Sequence, residues 1–277
     1  MISGALTGDP ARFAFGDNWR RFLDQLDETR IVEAEKSLDR LLDGKRLKGM
    51  RFLDIGSGSG LFSLAARRLG ARVHSFDFDP ASVECARILR DAYFANDSDW
   101  SIEQGSILDR SYSQKLGLFD VVYSWGVLHH TGAMHDAIRN AAALVSPGGL
   151  FVFALYRKTR LCRLWTLEKR WYAQASAPAQ AAACAIFKGL YRVDLALRGK
   201  DFAELVTSYQ SNRGMDFERD LHDWMGGYPY ESIAPEDADA LMTGLGFQHI
   251  RSFTQPYSTG FFGSGCDEYV YRRSPST

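Results

Sequence analysis

The sequence predicts an α/β protein with a mostly parallel sheet. Two observations carry that reading. Short apolar runs alternate with helical stretches from Arg51 to Tyr156, as expected for strands covered by crossover helices. The first run also ends in a glycine loop, Asp54-Ile55-Gly56-Ser57-Gly58-Ser59-Gly60, that leads directly into a helix. With 277 residues, 45% hydrophobic and 24% charged, the chain is long and apolar enough for a full core, and its composition excludes disorder, collagen-like repeats and coiled coils.

In chain order, Trp19, Phe22, Leu23, Leu26, Ile31, Ala34, Leu38, Leu41 and Leu42 recur at spacings of three and four, predicting a helix from Asp17 to Asp43 that Gly44 stops. Strands are expected at Arg51 to Ile55, Arg72 to Phe76, Ser101 to Glu103, Phe119 to Ser124 and Leu150 to Tyr156. Helices are expected at Leu61 to Leu69, at Pro80 to about Ala92 with proline in the first turn, and at Ala133 to Leu144, halted by Ser146-Pro147-Gly148-Gly149. After Tyr156 the alternation stops for about 75 residues, too long for a connection, so an inserted subdomain is expected. The core resumes with a helix over Pro235 to Leu245 and strands at Gln248 to Phe253 and Glu268 to Arg272, joined by a glycine-rich hairpin turn. The expected organisation is a helical cap over 1–48, a core over 49–156, an insert over 157–231, and completion of the core over 232–277.

Charge narrows the function. The net charge is -1, which argues against a general nucleic-acid coat. The total conceals an asymmetry, because Arg157 to Lys200 holds ten basic and two acidic residues, a local +8 against -9 elsewhere. That segment reads either as a solvated face or as a cap attracting an anionic substrate or an anionic lipid surface. Its Trp165, Trp171 and Tyr172 also suit RNA stacking, although a helical cap with an aromatic core accounts for them more simply. No leader-like opening and no long apolar run is present, and Cys85, Cys162, Cys184 and Cys266 are scattered, so a soluble cytoplasmic protein without zinc site or disulfide scaffold is expected.

The glycine loop is not a dinucleotide fingerprint. Counting from Gly56, the sixth position is Leu61, and the spacing is GxGxG with Asp54 just before it. A carboxylate there repels a pyrophosphate and favours a ligand bearing an ammonium. Asp77, at the end of the second strand, lies where a carboxylate can accept both hydroxyls of a ribose, and Phe78 beside it can flank an adenine.

RFLDIGSGSG, SFDFDP, EQGSILD, FDVVYSWGVLHHTG and LVSPGGLFVFALY together resemble the class I S-adenosylmethionine-dependent methyltransferases over Arg51 to Tyr156, and Gly246 to Arg273 resembles that family's terminal antiparallel hairpin. The resemblance implies a Rossmann-like, seven-stranded, mostly parallel sheet and S-adenosyl-L-methionine as cofactor. It implies that Gly56, Gly58 and Gly60 pass along the methionine part, that Asp54 orders that loop or the ammonium, that Asp77 binds ribose, and that Ser106 and Ile107 lie at the adenine edge. Ser106 departs from the acid that many relatives carry, and Asp109 is a weak substitute.

Methyl transfer to a hydroxyl needs an aligned nucleophile and a base, and ligands meet such sheets at the carboxyl ends of the strands. His129 and His130 follow the fourth strand and Tyr156 ends the fifth, which makes them the catalytic candidates; the histidines read more readily still as loop-shaping, structurally hydrogen-bonded groups. Trp125 is expected to wall the cofactor or substrate pocket. His222, Asp223, Trp224, Tyr228 and Glu231, at the return from the insert, read either as a substrate-binding lid lining or as a packed Pro/Gly turn. WMGGYPYE with GSGCDEYVYRR resembles a bacterial methyltransferase group associated with glycan genes. The expected reaction is O-methylation of a small molecule, with an anionic sugar or glycan precursor as the suggested acceptor; N-methylation, and a noncatalytic cofactor-binding module that docks a partner, are the rivals.

Overall fold

The computed structural model describes residues 23, 26–213, 217–256, 258–263 and 265–275. It divides into two compact units. The larger contains the sheet and runs up to Thr159, then through Glu231–Thr259 and Ser264–Thr277; the smaller contains Arg160–Tyr230 and Gly260–Gly263.

The larger unit begins, in its described part, with α1 (Glu28–Leu42). The Asp27 carboxylate accepts the Arg30 N–H at 2.9 Å and so caps this helix; of the earlier part of the helix expected from Asp17, only Leu23 and Leu26 are among the described residues. Trp19 and Phe22 lie outside the described residues. At the other end Asp43 and Gly44 both take the left-handed conformation, and Gly44 N–H returns to Asp39 O at 3.1 Å.

Seven strands follow: β1 (Arg51–Ile55), β2 (Arg72–Asp77), β3 (Trp100–Gln104), β4 (Phe119–Trp125), β5 (Val145–Tyr156), β6 (Phe247–Phe253) and β7 (Cys266–Arg273). Their spatial order is β3-β2-β1-β4-β5-β7-β6, with β1 to β5 parallel and β7 antiparallel to both its neighbours. Between them lie α2 (Leu61–Arg68), α3 (Pro80–Tyr93), a single turn α4 (Arg110–Ser113) and α5 (Met134–Ala143). Leu53, Ile55, Val122, Phe151 and Phe153 form part of one buried cluster, and Phe52, Val73, Val121, Val152 and Val270 part of a second that includes α1 residues. This two-faced burial explains the continuous apolar runs of the parallel strands.

Two expectations change. β5 begins at Val145 rather than Leu150, because Val145 already pairs with Phe119; the proline and glycines are absorbed where the register shifts between Phe119 and Val121. The β6–β7 connection is not a simple turn, since Gly260–Gly263 belong to the smaller unit.

The smaller unit is helical: α6 (Cys162–Gln174), α7 (Ala177–Leu197), α8 (Phe202–Arg213) and α9 (Phe217–Gly226). Tyr172, Phe217, Leu221 and Met225 are its buried centre, with Trp165, Phe187, Tyr191 and Trp224 packed around them. In the larger unit, α10 (Pro235–Gly244) then precedes β6. Among the described residues no helix is long and apolar enough to cross a membrane.

Candidate active site

The glycine loop leaves β1 at its carboxyl end. Gly56, Gly58 and Gly60 all have positive φ, at 72°, 53° and 83°, which a side chain strains. Space restricts two of them further. A Cβ on Gly56 would run into the Val127 side chain, and one on Gly60 would sit 3.0 Å from the Ala86 backbone. The loop is anchored to the next strand by Gly56 N–H to Phe76 O at 2.8 Å, and to Asp77 by Gly58 N–H to Oδ2 at 2.9 Å. The other Asp77 oxygen accepts Asp79 N–H at 2.9 Å. One carboxylate thus fixes both the glycine loop and the turn that opens α3. Gly105 supports this edge: its N–H donates to Asp77 O at 2.9 Å, and a Cβ on it would meet the Tyr112 ring.

Asp54 is buried and accepts the Ser63 hydroxyl at 2.6 Å. Burial pushes its carboxyl up to about 7, against the Ser63 hydrogen bond, and the nearby Asp77 charge raises it further. The Tyr123 hydroxyl, on the strand position paired with Asp54, is buried without a hydrogen-bond partner among the described residues, as is the Ser57 hydroxyl on the loop. A glycine cradle, a desolvated carboxylate and two orphaned hydroxyls fit a ligand that brings an ammonium and further polar groups.

The adenine-edge candidates occupy the neighbouring strand end. Phe78 is partly buried, and its carbonyl accepts Gln104 Nε2 at 3.1 Å. Ser106 Oγ accepts Leu108 N–H at 3.2 Å, and buried Ile107 gives its carbonyl to Asn140 Nδ2 at 2.9 Å. Asp109 caps α4, accepting Ser111 and Tyr112 N–H, which spends it locally. Trp125 is exposed, its indole N–H donating to Glu268 Oε1 at 2.9 Å while Arg40 holds Oε2 at 2.6 Å.

At the ends of β4 and β5 the three catalytic candidates meet. A 3-10 turn, Leu128–His130, stacks the His129 ring 4.1 Å from Tyr156 and 4.4 Å from His130, with Tyr156 edge-on to His130 at 5.4 Å. His129 is fully buried and His130 is 9% exposed, so His130 and the partly buried Tyr156 are the accessible members. Glu231 clamps this turn: its N–H donates to His129 O at 2.9 Å, and its Oε2 accepts Met134 N–H at 2.9 Å, capping α5. Burial raises the Glu231 carboxyl, against that hydrogen bond.

The five lid candidates fall in two units. Glu231 belongs to the larger unit, whereas His222, Asp223, Trp224 and Tyr228 belong to the smaller. There His222 Nδ1 meets the Tyr172 hydroxyl at 2.7 Å, and Trp224 packs 4.6 Å from Trp165 and 5.3 Å from Phe187. Sequence reasoning missed Ser63, Tyr123, Val127 and Glu268. Ser63 and Tyr123 carried a weak signal, as polar groups on apolar faces; the other two carried none.

Sheet order, loop and acidic strand ends define a class I S-adenosylmethionine-dependent methyltransferase. The family described as methyltransferase domain matches residues 26–189, more than half of the chain, and the chain belongs to it; S-adenosyl-L-methionine is the cofactor. Among curated proteins, the ubiquinone biosynthesis O-methyltransferase of Methylocella silvestris is 36% identical over 113 residues, 41% of this chain and 42% of that protein. The protein of the same name from Maricaulis maris is 32% identical over 120 residues, 43% of this chain and 45% of its own length. The chain thus spans less than half the length of either relative. Among solved structures, magnesium protoporphyrin IX methyltransferase from Synechocystis PCC 6803 with bound SAM shares the fold at TM-score 0.57 and 14% identity, covering 98% of this chain and 100% of that one.

Proposed function

We propose that the chain transfers a methyl group from S-adenosyl-L-methionine to a hydroxyl of a small molecule. The observation that carries the choice of oxygen is the His129, His130 and Tyr156 cluster, which puts proton-accepting imidazoles at the carboxyl ends of β4 and β5, as the glycine loop lies at the carboxyl end of β1. Relatives named ubiquinone biosynthesis O-methyltransferase support the same choice.

When bound, the cofactor supplies an electrophilic sulfonium methyl whose departure needs no acid. The chain's own groups then have these roles. Asp77 accepts the ribose hydroxyls, Asp54 faces the ammonium, Gly56, Gly58 and Gly60 let the backbone approach, and Phe78, Ser106 and Ile107 border the adenine, with Trp125 as an outer wall. His130 takes the acceptor proton, Tyr156 orients the acceptor, and buried His129 holds both rings in place.

The basic insert supports an anionic acceptor less than its net charge suggests. Arg157 donates to Asp267 at 2.8 Å, and Lys158 lies 3.8 Å from Asp237, so both serve the larger unit. The amine-acceptor rival loses Glu231, whose carboxylate caps α5.

Calorimetry with S-adenosylmethionine and its demethylated product tests the cofactor, with micromolar binding expected and about tenfold or more lost in Asp77→Ala. No heat from either, or a preference for NAD, overturns the reading. Methyl transfer from labelled cofactor to a panel of phenols, sugars and amines tests the acceptor. His130→Ala should lower kcat by about 100-fold. Normal turnover in His129→Ala and His130→Ala alike removes histidine as the base.

A further inference from the structure

Helices of the smaller unit expose the side chains that a helix normally buries. On α7, Ile186, Leu190, Val193 and Leu197 recur at spacings of four, three and four, one continuous stripe, and are 49 to 83% exposed. Ala182, Ala185, Gly189 and Ala196 flank the stripe on its exposed side, and Arg192, the one exposed charge within the helix, lies off the stripe with its guanidinium 4.5 Å over the Phe202 ring. The inward side carries Cys184, Phe187 and Tyr191, so the unit's own packing does not require the outer stripe. α6 repeats the pattern, with Leu164, Leu167 and Trp171 each more than half exposed at spacings of three and four.

Charge accompanies the apolar surface. Every exposed charged residue from 160 to 200 is basic: Arg160, Arg163, Arg170, Arg192, Arg198 and Lys200. The acids of that stretch, Glu168 and Asp194, are partly buried, and Asp194 pairs with Arg198 at 2.9 Å. Apolar stripes, the exposed Trp171 and the exposed Arg163 and Arg170 beside it match an anionic lipid surface, where apolar side chains enter the acyl boundary and arginines meet headgroup phosphates. RNA is the weaker fit. Of the three aromatics suited to stacking, Tyr172 is fully buried and Trp165 is packed on Trp224, which leaves Trp171 alone exposed.

We propose that α6 and α7 form a peripheral membrane-docking surface for anionic lipid bilayers. Neither helix crosses the bilayer; the exposed faces rest in it.

Co-sedimentation of the full chain with phosphatidylglycerol/phosphatidylcholine vesicles, against phosphatidylcholine alone, tests this. Binding is expected only with the anionic lipid, weakened about tenfold by Leu190→Glu/Val193→Glu and by Arg163→Glu/Arg170→Glu, and by high salt for the native chain. All these positions are exposed, and unchanged cofactor calorimetry together with far-ultraviolet circular dichroism verifies that the variants fold. No binding to anionic vesicles overturns the proposal, as does equal binding to neutral ones. A native dimer by light scattering that Leu190→Glu/Val193→Glu dissociates assigns the stripe to a second copy instead. Tight binding of a labelled single-stranded oligonucleotide, lost in the same variants, assigns it to nucleic acid.

Discussion

Helices α1 and α7 answer the same packing problem in opposite ways. α1 turns Ile31, Ala34, Leu38, Leu41 and Leu42 inward and exposes Glu28, Thr29, Glu33, Lys36, Asp39 and Arg40. α7 turns a mixed aromatic side inward and exposes Ile186, Leu190, Val193 and Leu197. In α1, apolar pattern and burial agree, so folding alone explains the helix's sequence. In the helical unit they disagree, and the surplus apolar surface needs a reason outside the unit's own core.

The sharpest way to break this contrast is to remove charge from each unit. Arg157 and Arg163 belong to the same basic run in the sequence, but Arg157 is bonded to Asp267, which is fully buried and also accepts Gln255 N–H at 2.7 Å and the Tyr269 hydroxyl at 3.2 Å. Arg157→Ala strands a buried carboxylate and should cost about 3 kcal/mol or more. Arg163→Ala, at an exposed position, should stay within about 0.5 kcal/mol. Urea denaturation of both variants measures the difference, and equal costs would remove the distinction between a structural and a surface arginine.

Next in size is the cofactor loop. Gly56→Ala combines a φ of 72° with a Cβ that collides with Val127, and should cost about 2 to 3 kcal/mol in stability while also weakening cofactor binding. Val127→Ala should restore part of the loss in the double variant, because it removes the collision but not the φ strain. Absence of any rescue would mean that the backbone angle alone dictates glycine.

Legibility divided along the same line. Strands β1, β4 and β5 were visible because burial on both faces writes itself as runs rich in Val, Ile, Leu and Phe, and β2 because Val73 and Phe76 sit between the Gly70 stop and the Pro80 helix start. Gly56, Gly60, Asp54 and Asp77 were visible because a tight loop beside a carboxylate demands particular residue types. The Asp27 cap inside an apparently continuous helix was not, since periodicity continues across it. The place of Glu231 in the larger unit depends on contacts with His129 and Met134 about a hundred residues away. The basic run looked uniform because sequence counts charges without showing which of them are paired.

A pH titration sharpens the account of Asp54. Its carboxyl, raised to about 7 by burial, is largely protonated in mild acid. An ammonium that prefers the ionised form must displace that proton, so cofactor affinity should fall toward tenfold per pH unit below about 7 and level off above it. Asp54→Asn should bind weakly with little dependence on pH between 5.5 and 8. The free protein shows the opposite trend: because the folded form holds the proton more tightly than the unfolded one, this group's contribution to stability declines as pH rises from about 4 to about 7. Calorimetry and thermal melts across that range test the two signs independently, and a pH-independent affinity in the native chain would separate Asp54 from the ammonium.

The smallest effect belongs to the interior of the helical unit. Lys169 is fully buried, its ammonium 3.9 Å from the Trp224 ring centre and 5.2 Å from that of Tyr230, and it donates to the Trp224 carbonyl. Burial pulls this lysine below its ordinary range and pushes neighbouring Glu168 above its own. For the lysine, the unfolded chain holds the proton more tightly, so stability rises with pH from neutrality toward the ordinary lysine range; for the glutamate the folded form holds it more tightly, and stability falls as pH rises from the ordinary carboxylate range toward neutrality. The helical unit should therefore be least stable near neutral pH. Lys169→Met keeps the packing volume and removes the alkaline rise, at a net cost or gain of about 1 kcal/mol. Hydrogen exchange of α6 peptides, compared with β4 peptides in the same sample, resolves the trough to one unit. A trough of equal depth in β4 would show that the two units unfold together.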